Sequence, residues 1–333
     1  MIIVIGASGF IGTYLVDELI KNKFEVLATG RTNSSESYYK STGIKFLHLD
    51  IANVNDFKKL PTKNVEAVVL LAALLPANVK GYNNPYDYVD INIKGTLNVL
   101  EYCRKNNIKK IISTTSYADV QNLWKKDYKI KESDPRNYRL SGDHASYVIS
   151  KNAATDFILH YNEEYDMSGS VFRLPPVYGY GPHSEIYVNG KYYKSGFQVF
   201  LEKAIRGDSI EIYGDKNVSR DIVYVKDVTD AFISAIKSGK AVGLYNIASG
   251  KPLTLESQVK NIIKVFSSKD KKSEIKLLPG KKNNSSSYAF DISKARKDFN
   301  YNPKYSFEKL LLDYKKEIES KKFEFLAKSH PKK

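Results

Sequence analysis

The sequence predicts an α/β fold, a doubly wound parallel sheet followed by a smaller C-terminal α/β region. Three observations carry this. Short β-branched runs alternate with longer helical stretches through the first half, the pattern of a parallel sheet covered on both faces. A glycine-rich turn joins the first strand directly to the first helix. After Arg173 the rhythm breaks into Pro-Pro and Tyr-Gly-Tyr-Gly-Pro, where a second region begins.

Taken in order, strands are predicted over residues 2–5, 25–29, 45–49, 67–71, 110–114 and 170–174, with helices over 11–21, 85–106 and 145–165. The polar, Tyr-rich stretch up to Ser195 reads as loops. Beyond it, strands are predicted over 209–213, 221–225 and 244–248 and a helix over 228–238, while the Ser-Lys-rich link at 267–273 and the run at 283–287 read as loops. No internal repeat is present.

Composition excludes several classes. With 333 residues, 42% hydrophobic and 27% charged, the chain is globular and not disordered. Its longest apolar run, Ala67 to Leu75, ends at Pro76, well short of the roughly 20 residues of a membrane span. The apolar N-terminus has no basic flank and is interrupted by Gly6, Gly9 and Gly12, so it does not read as a signal peptide, and a cytoplasmic location is expected. Cys103 stands alone, and His48, His144, His160, His183 and His330 lack ligand spacing, so neither a disulfide nor a metal site is expected. The net charge of +15 raises nucleic acid as a partner, but residues 269–333 hold 18 basic and 9 acidic side chains, interleaved as on a solvated helix face. No nucleic-acid or membrane partner is expected.

Gly6, Gly9 and Gly12 sit where a strand turns into a helix. Glycine there allows a tight turn and close approach of a pyrophosphate to the free N–H groups of the helix start, with Ser8, Phe10 and Ile11 lining the same loop. A carboxylate at the end of the second strand would hold the adenosine ribose of NAD. Here the strand ends in Gly30 and Arg31, and a guanidinium suits a 2′-phosphate, so NADP(H) is favoured over NAD(H). The plainer reading of Arg31 is an adenine-stacking or solvent-facing side chain.

Tyr147 and Lys151 lie four residues apart, on one helix face. A free phenol is a poor base at neutrality, and a nearby cation favours its ionised form. With 25 Tyr in the chain the spacing recurs at Tyr187/Lys191 and Tyr305/Lys309. The former spans the Asn189-Gly190 turn signal and the latter opens the C-terminal basic helix. Only Tyr147/Lys151 follows a strand ending in Ser113, Thr114 and Thr115, and ligands bind at the carboxyl ends of such strands.

In this order the residues resemble the extended short-chain dehydrogenase/reductase family, the NAD-dependent epimerase/dehydratase group that modifies nucleotide sugars. The likeness covers nearly the whole chain. Asp50 and Ile51 resemble its adenine-contacting pair, Leu71, Ala72 and Ala73 the segment beside the cofactor, and Asn92, implied as a cofactor contact, forms with Gly95 and Thr96 its helix signature. Arg173 to Gly179, Arg220 to Asp227 and Leu244 to Gly250 complete the series. The resemblance implies a Rossmann-type domain (1–175 plus about 219–248), a substrate-binding domain (176–218 plus about 249–325), a basic tail (326–333) and a homodimer. It further implies Tyr147 as acid/base, Lys151 as the group that lowers its pKa and holds the nicotinamide ribose, Thr115 as the hydroxyl on the reacting oxygen with Thr114 as fallback, Pro175 at the cofactor, and Tyr213 and Arg220 at the substrate. For Arg220 the competing reading is a structural ion pair with Asp221 or Asp227.

Three departures bear on the reaction. Ser116 and Tyr117 follow Thr115 where dehydratases place an Asp-Glu pair, which disfavours dehydration. Pro176 replaces a substrate-contacting Asn, removing an amide side chain and a backbone donor. Gly30-Arg31 suggests a dissociable NADP(H). The expectation is therefore an NAD(P)-dependent oxidoreductase acting on a nucleoside-diphosphate sugar, most simply a carbon-4 ketoreductase. The alternative is a 4-epimerase of the same family. Behind these stand a reductase of a hydroxysteroid or aromatic carbonyl, served by the segment from Tyr178 to Tyr193, and a non-enzymatic NADP-sensing protein.

Overall fold

The alternating first half builds one parallel sheet. A computed structural model describes the chain except residues 32, 77–78, 80–83, 126, 143, 182–184, 189–190, 284–285 and 321–333, so the predicted basic tail and the Asn189-Gly190 turn lie outside the described residues. The first half runs β1 (Ile2–Ile5), α1 (Phe10–Lys21), β2 (Val26–Gly30), α2 (Asn33–Ser41), β3 (Lys45–His48) and β4 (Ala67–Leu70). It continues through α3 (Pro85–Tyr88), α4 (Gly95–Lys105), β5 (Lys110–Ser116), β6 (Lys129–Ile130), α5 (Ala145–Tyr165) and β7 (Ser168–Leu174).

The second half comprises β8 (Val177–Tyr178), β9 (Glu185–Val188), β10 (Lys191–Lys194), α6 (Gly196–Arg206), β11 (Ile210–Tyr213), β12 (Ser219–Arg220), β13 (Val223–Tyr224) and α7 (Val225–Lys237). After these come β14 (Gly243–Asn246), β15 (Leu253–Thr254), α8 (Leu255–Phe266), β16 (Ile275–Leu278), β17 (Ala289–Phe290), α9 (Ser293–Phe299) and α10 (Phe307–Glu319).

The main sheet has seven parallel strands in the order β14-β7-β5-β4-β1-β2-β3, a doubly wound Rossmann-type arrangement. Two cores cover its faces. One packs Ile2, Val4, Ile112 and Phe172 against α1 and α7, and the other packs Ile3, Ile5, Ile111 and Val171 against α4 and α5. The strands are apolar on both faces, as burial beneath helices on each side demands. A third core joins α1, α6, α8 and α10 through Tyr14, Leu201, Val259 and Leu311.

Three expectations are corrected. The stretch before Ser195 holds an antiparallel pair, β9 with β10, with Lys191 in register with Val188 and Lys194 with Glu185, the hairpin that a two-residue Asn-Gly connection favours. The strand predicted over 221–225 is interrupted at Asp221, whose carboxylate accepts backbone N–H groups of Ser249, Gly250 and Phe290, and α7 begins at Val225. The helix predicted over 85–106 contains a π-helical segment, Val89–Lys94, between α3 and α4. A π turn lets one side chain leave the regular ladder, and here it serves Asn92.

Candidate active site

The glycine turn shows why no side chain is tolerated at two of its positions. Gly6 has φ +90°, and a Cβ on it would lie 2.5 Å from the Ala72 nitrogen. A Cβ on Gly12 would lie 2.2 Å from the Gly6 carbonyl oxygen. The resulting bare backbone cradle faces the start of α1, whose first N–H groups have no helical acceptor, and fits a pyrophosphate. Leu71 and Ala72 reach the loop by donating both backbone N–H groups to the Ile5 carbonyl. Ser8 closes onto β2, since a Cβ on Gly30 would lie 2.8 Å from its Oγ. Phe10 packs instead against Gly179 and Gly181, and Tyr14 donates to the Tyr180 carbonyl at 2.8 Å, tying α1 to the second half. Ile11 also packs into the apolar interior.

Arg31 is exposed directly after β2, and His48 Nε2 donates to its carbonyl at 2.9 Å. Asp50 takes the Ala52 N–H on Oδ1. Ile51 is a core residue: it is 3% exposed and fills the space left by Gly95, where a Cβ would lie 2.7 Å from it. Ala73 is half-buried beside this segment and Pro175 is buried after β7.

Asn92 is a clamp. Its Oδ1 accepts from the Leu74 N–H at 2.7 Å, and its Nδ2 donates to the Leu74 carbonyl at 3.1 Å and to Ser150 Oγ at 2.9 Å. Ser150 in turn donates to the Tyr147 carbonyl. One buried amide thus fixes the segment after β4 to the helix turn that carries Tyr147 and Lys151.

Strand alternation separates the two threonines. Ile112 lies in the core toward α7 and Ile111 in the core toward α5, so Thr114 follows the former face and Thr115 the latter. Thr115 therefore shares the α5 face with Tyr147 and Lys151. It is 4% exposed, and its Oγ1 is buried with no hydrogen-bond partner among the described residues, as expected of a hydroxyl reserved for a ligand.

Lys151 is 5% exposed, and burial pulls its pKa down to about 8. At neutral pH it remains largely charged. Burial pushes the Tyr147 phenol upward, with Tyr88 and Tyr117 adding to the effect. Lys151 is not among the groups acting on Tyr147, so the implied lowering is absent from this arrangement and desolvation dominates.

From Tyr147 the site extends into the second half. Tyr117 lies within electrostatic reach of Tyr147, stacks on Trp124 with centroids 5.0 Å apart and hydrogen-bonds Tyr288. Tyr288 packs on Trp124 at 4.7 Å. Arg220 acts electrostatically on Tyr117, Tyr178 and Tyr288. It forms no ion pair among the described residues: Asp221 holds Ser249, Gly250 and Phe290, and Asp227 holds the Lys304 and Tyr305 N–H groups. The structural ion pair is thereby overturned, because both carboxylates are committed to backbone donors. Tyr213 is exposed at the end of β11, donating to Glu211 at 2.9 Å under the Lys281 ammonium. Pro176 accepts the Val223 N–H on its carbonyl.

Sequence reasoning missed the Tyr117, Trp124 and Tyr288 stack. Trp124 is the chain's single Trp, the one compositional signal that pointed there. It also missed a buried ion pair below Thr115, Arg173 with Asp119 at 2.8 Å.

A doubly wound sheet with a glycine cradle, and a Thr at its carboxyl edge on the face covered by a helix bearing Tyr and Lys, is the frame of a nucleotide-dependent α/β enzyme. The sequence model of the NAD dependent epimerase/dehydratase family matches residues 2–248, and the chain belongs to that family. Among its relatives, a Methanocaldococcus jannaschii protein provisionally assigned as UDP-glucose 4-epimerase is 31% identical over 270 residues, 79% of this chain and 81% of its own. A UDP-glucuronate 4-epimerase of Thermodesulfobacterium geofontis is 28% identical over 321 residues, 92% of each chain. The crystal structure of Thermotoga maritima UDP-glucose 4-epimerase with UDP-glucose superposes with a TM-score of 0.77 at 25% identity, covering 96% of this chain and 98% of the other.

Proposed function

We propose that the protein is a 4-epimerase of uridine-diphosphate hexoses, in place of the ketoreductase that the sequence put first. The observation that carries it is the buried, unpartnered Thr115 hydroxyl on the sheet face covered by α5, the helix of Tyr147 and Lys151, in a chain whose relatives include 4-epimerases. The ketoreductase reading leaned on Arg31, and a side chain at the adenosine end does not decide which face of a sugar receives hydride.

The dinucleotide would lie over Gly6, Gly9 and Gly12 with Asp50 at the adenine, Ala72 and Ala73 alongside, and Lys151 and Pro175 near the nicotinamide. Bound there, the nicotinamide would supply reversible hydride exchange at the sugar's carbon 4. Thr115 donates to or accepts from the oxygen on that carbon. Tyr147 moves its proton, taking it as the carbonyl forms and returning it as the hydroxyl is restored. Lys151, one helix turn away and charged, favours the phenolate once the phenol engages substrate. Arg220, free of carboxylates, holds the diphosphate. Gly30 and the exposed Arg31 support NADP(H) over NAD(H) at the ribose. In this reading residues 1–175 with about 219–248 would serve the cofactor, and 176–218 with about 249–325 the sugar nucleotide.

Tyr86, Val89 and Ile149 are exposed apolar residues on α3, the π turn and α5, which supports a homodimer through these helices, and we place the protein in the cytoplasm as part of the same proposal. Among the described residues no helix is long and apolar enough to cross a membrane. The reading is tested by incubating the protein with UDP-glucose and with UDP-glucuronate and separating 4-epimers by chromatography. Interconversion lost in Tyr147→Phe is expected. Net consumption of NADPH with a 4-keto sugar nucleotide, without interconversion, returns the ketoreductase.

A further inference from the structure

We propose that the buried Asp119–Arg173 ion pair is a positioning device for the Thr115 hydroxyl, a proposal that rests on the reading of Thr115 as catalytic. Thr115, Arg173 and Asn246 are register partners across three neighbouring strands, β5, β7 and β14. Their side chains stand in a row on one sheet face. Arg173 is 1% exposed and every polar arm is engaged: Nε and Nη2 donate to Asp119 Oδ2 at 3.0 and 2.8 Å, and Nη1 donates to Asn246 Oδ1 at 3.1 Å. Asn246 is itself fixed by donating Nδ2 to the Ile130 and Asp291 carbonyls.

Asp119 sits on the 3₁₀ turn Tyr117–Leu123 that begins where the catalytic strand stops. Ser116 caps that turn, its Oγ accepting from the Ala118 N–H, and the Asp119 carbonyl accepts from the Asn137 N–H. The guanidinium beside Thr115 therefore grips the first turn after it, and the angle at which β5 leaves the sheet is set by that grip. Stability alone explains the pair poorly, since burying two charges costs about as much as their attraction returns and an apolar pair of equal volume serves as well. The second carboxylate oxygen, Oδ1, has no partner among the described residues, an arrangement a stability element would have filled. What the pair does supply is direction: two donors of the planar guanidinium converge on the one oxygen Oδ2 while the third arm is held by Asn246, so the fork is fixed between β14 and the turn after Thr115.

A double-mutant cycle tests this, using the full chain with UDP-glucose, calorimetry for cofactor affinity and thermal melting for folding. Asp119→Asn is expected to lower kcat about 10-fold with KM and cofactor Kd unchanged, the size expected from a sub-ångström misplacement. In a Thr115→Ala background the same substitution is expected to change kcat less than about 2-fold, because the group it positions is gone. Arg173→Lys, which keeps the charge but loses the fork, takes its place in the cycle if Asp119→Asn does not fold. Equal losses in both backgrounds, or no loss in either, overturn the proposal. Full activity in Thr115→Ala alone overturns the catalytic reading of Thr115 and the positioning role with it, whereas a crippled Thr115→Ala with additive Asp119→Asn overturns only the positioning role.

Discussion

The two halves of the molecule bury apolar surface in different ways. Five strands of the main sheet, β1 to β5, lie within the first 116 residues, and each pairs with a neighbour close in sequence or one crossover away. The second half is a patchwork of two-stranded sheets most of whose partners lie far apart, the β9–β10 hairpin excepted: Ile210 pairs with Ile275, Ser219 with Thr254, and Ala289 returns to Lys129. The first half supplies Thr115, Tyr147 and Lys151, and the second supplies Arg220 and Tyr288. On the proposed reading, local pairing carries the reacting groups, while long-range pairing carries Arg220, the group proposed to hold the diphosphate.

If this division is right, substitutions in the sheet half strike turnover and those in the patchwork strike binding. The largest effect is expected for Tyr147→Phe, a fall in kcat of about 10²- to 10⁴-fold with the KM for UDP-glucose moving little, read by steady-state kinetics. Arg220→Met is expected to raise that KM about 10- to 100-fold at nearly constant kcat, as loss of a charge-assisted contact implies. Equal effects of the two on kcat would break the division. Gly12→Ala is expected to cost about 1–3 kcal/mol in urea unfolding, because its Cβ would overlap the Gly6 carbonyl.

Lys151→Met is expected to lose activity yet gain about 2 kcal/mol of stability at pH 7. Burial depresses the folded-state pKa to about 8, below the free value of 10.5. Below pH 8 both states hold the proton and the folded protein bears the full burial cost. Between pH 8 and about 10.5 the unfolded chain binds more protons, wild-type stability rises, and the variant's advantage fades. An advantage independent of pH over that window would show that the ammonium is not the buried charge. The smallest effect is expected for Tyr213→Phe, below about 0.5 kcal/mol in substrate affinity, since its hydroxyl is spent on Glu211 at the surface.

Legibility follows the same division. Short β-branched runs and the glycine turn exposed β1, α1 and the position of Gly6 to Gly12, because these patterns are local. The Tyr147/Lys151 pair was separable from its two imitators by its strand context. The β9–β10 pair was read as loop, since polar Tyr-rich strands lack an apolar face to show alternation. Asn92 read as a cofactor contact because its motif was visible, whereas its clamp on Leu74 and Ser150 depends on a π turn that no spacing rule predicts. Asp119 and Arg173 are 54 residues apart and were invisible as a pair. Arg220 showed the opposite problem. Two acidic neighbours in sequence suggested partners, and the fold gave both to backbone donors.

The central claim, that the site returns hydride to the carbon it came from, is tested most directly with UDP-glucose carrying deuterium at carbon 4. Nuclear magnetic resonance of the products would follow the label. Deuterium retained at carbon 4 of the epimerised sugar, with no net change in nicotinamide oxidation state, is predicted. Deuterium transferred stoichiometrically to added dinucleotide, with no epimer formed, would contradict it.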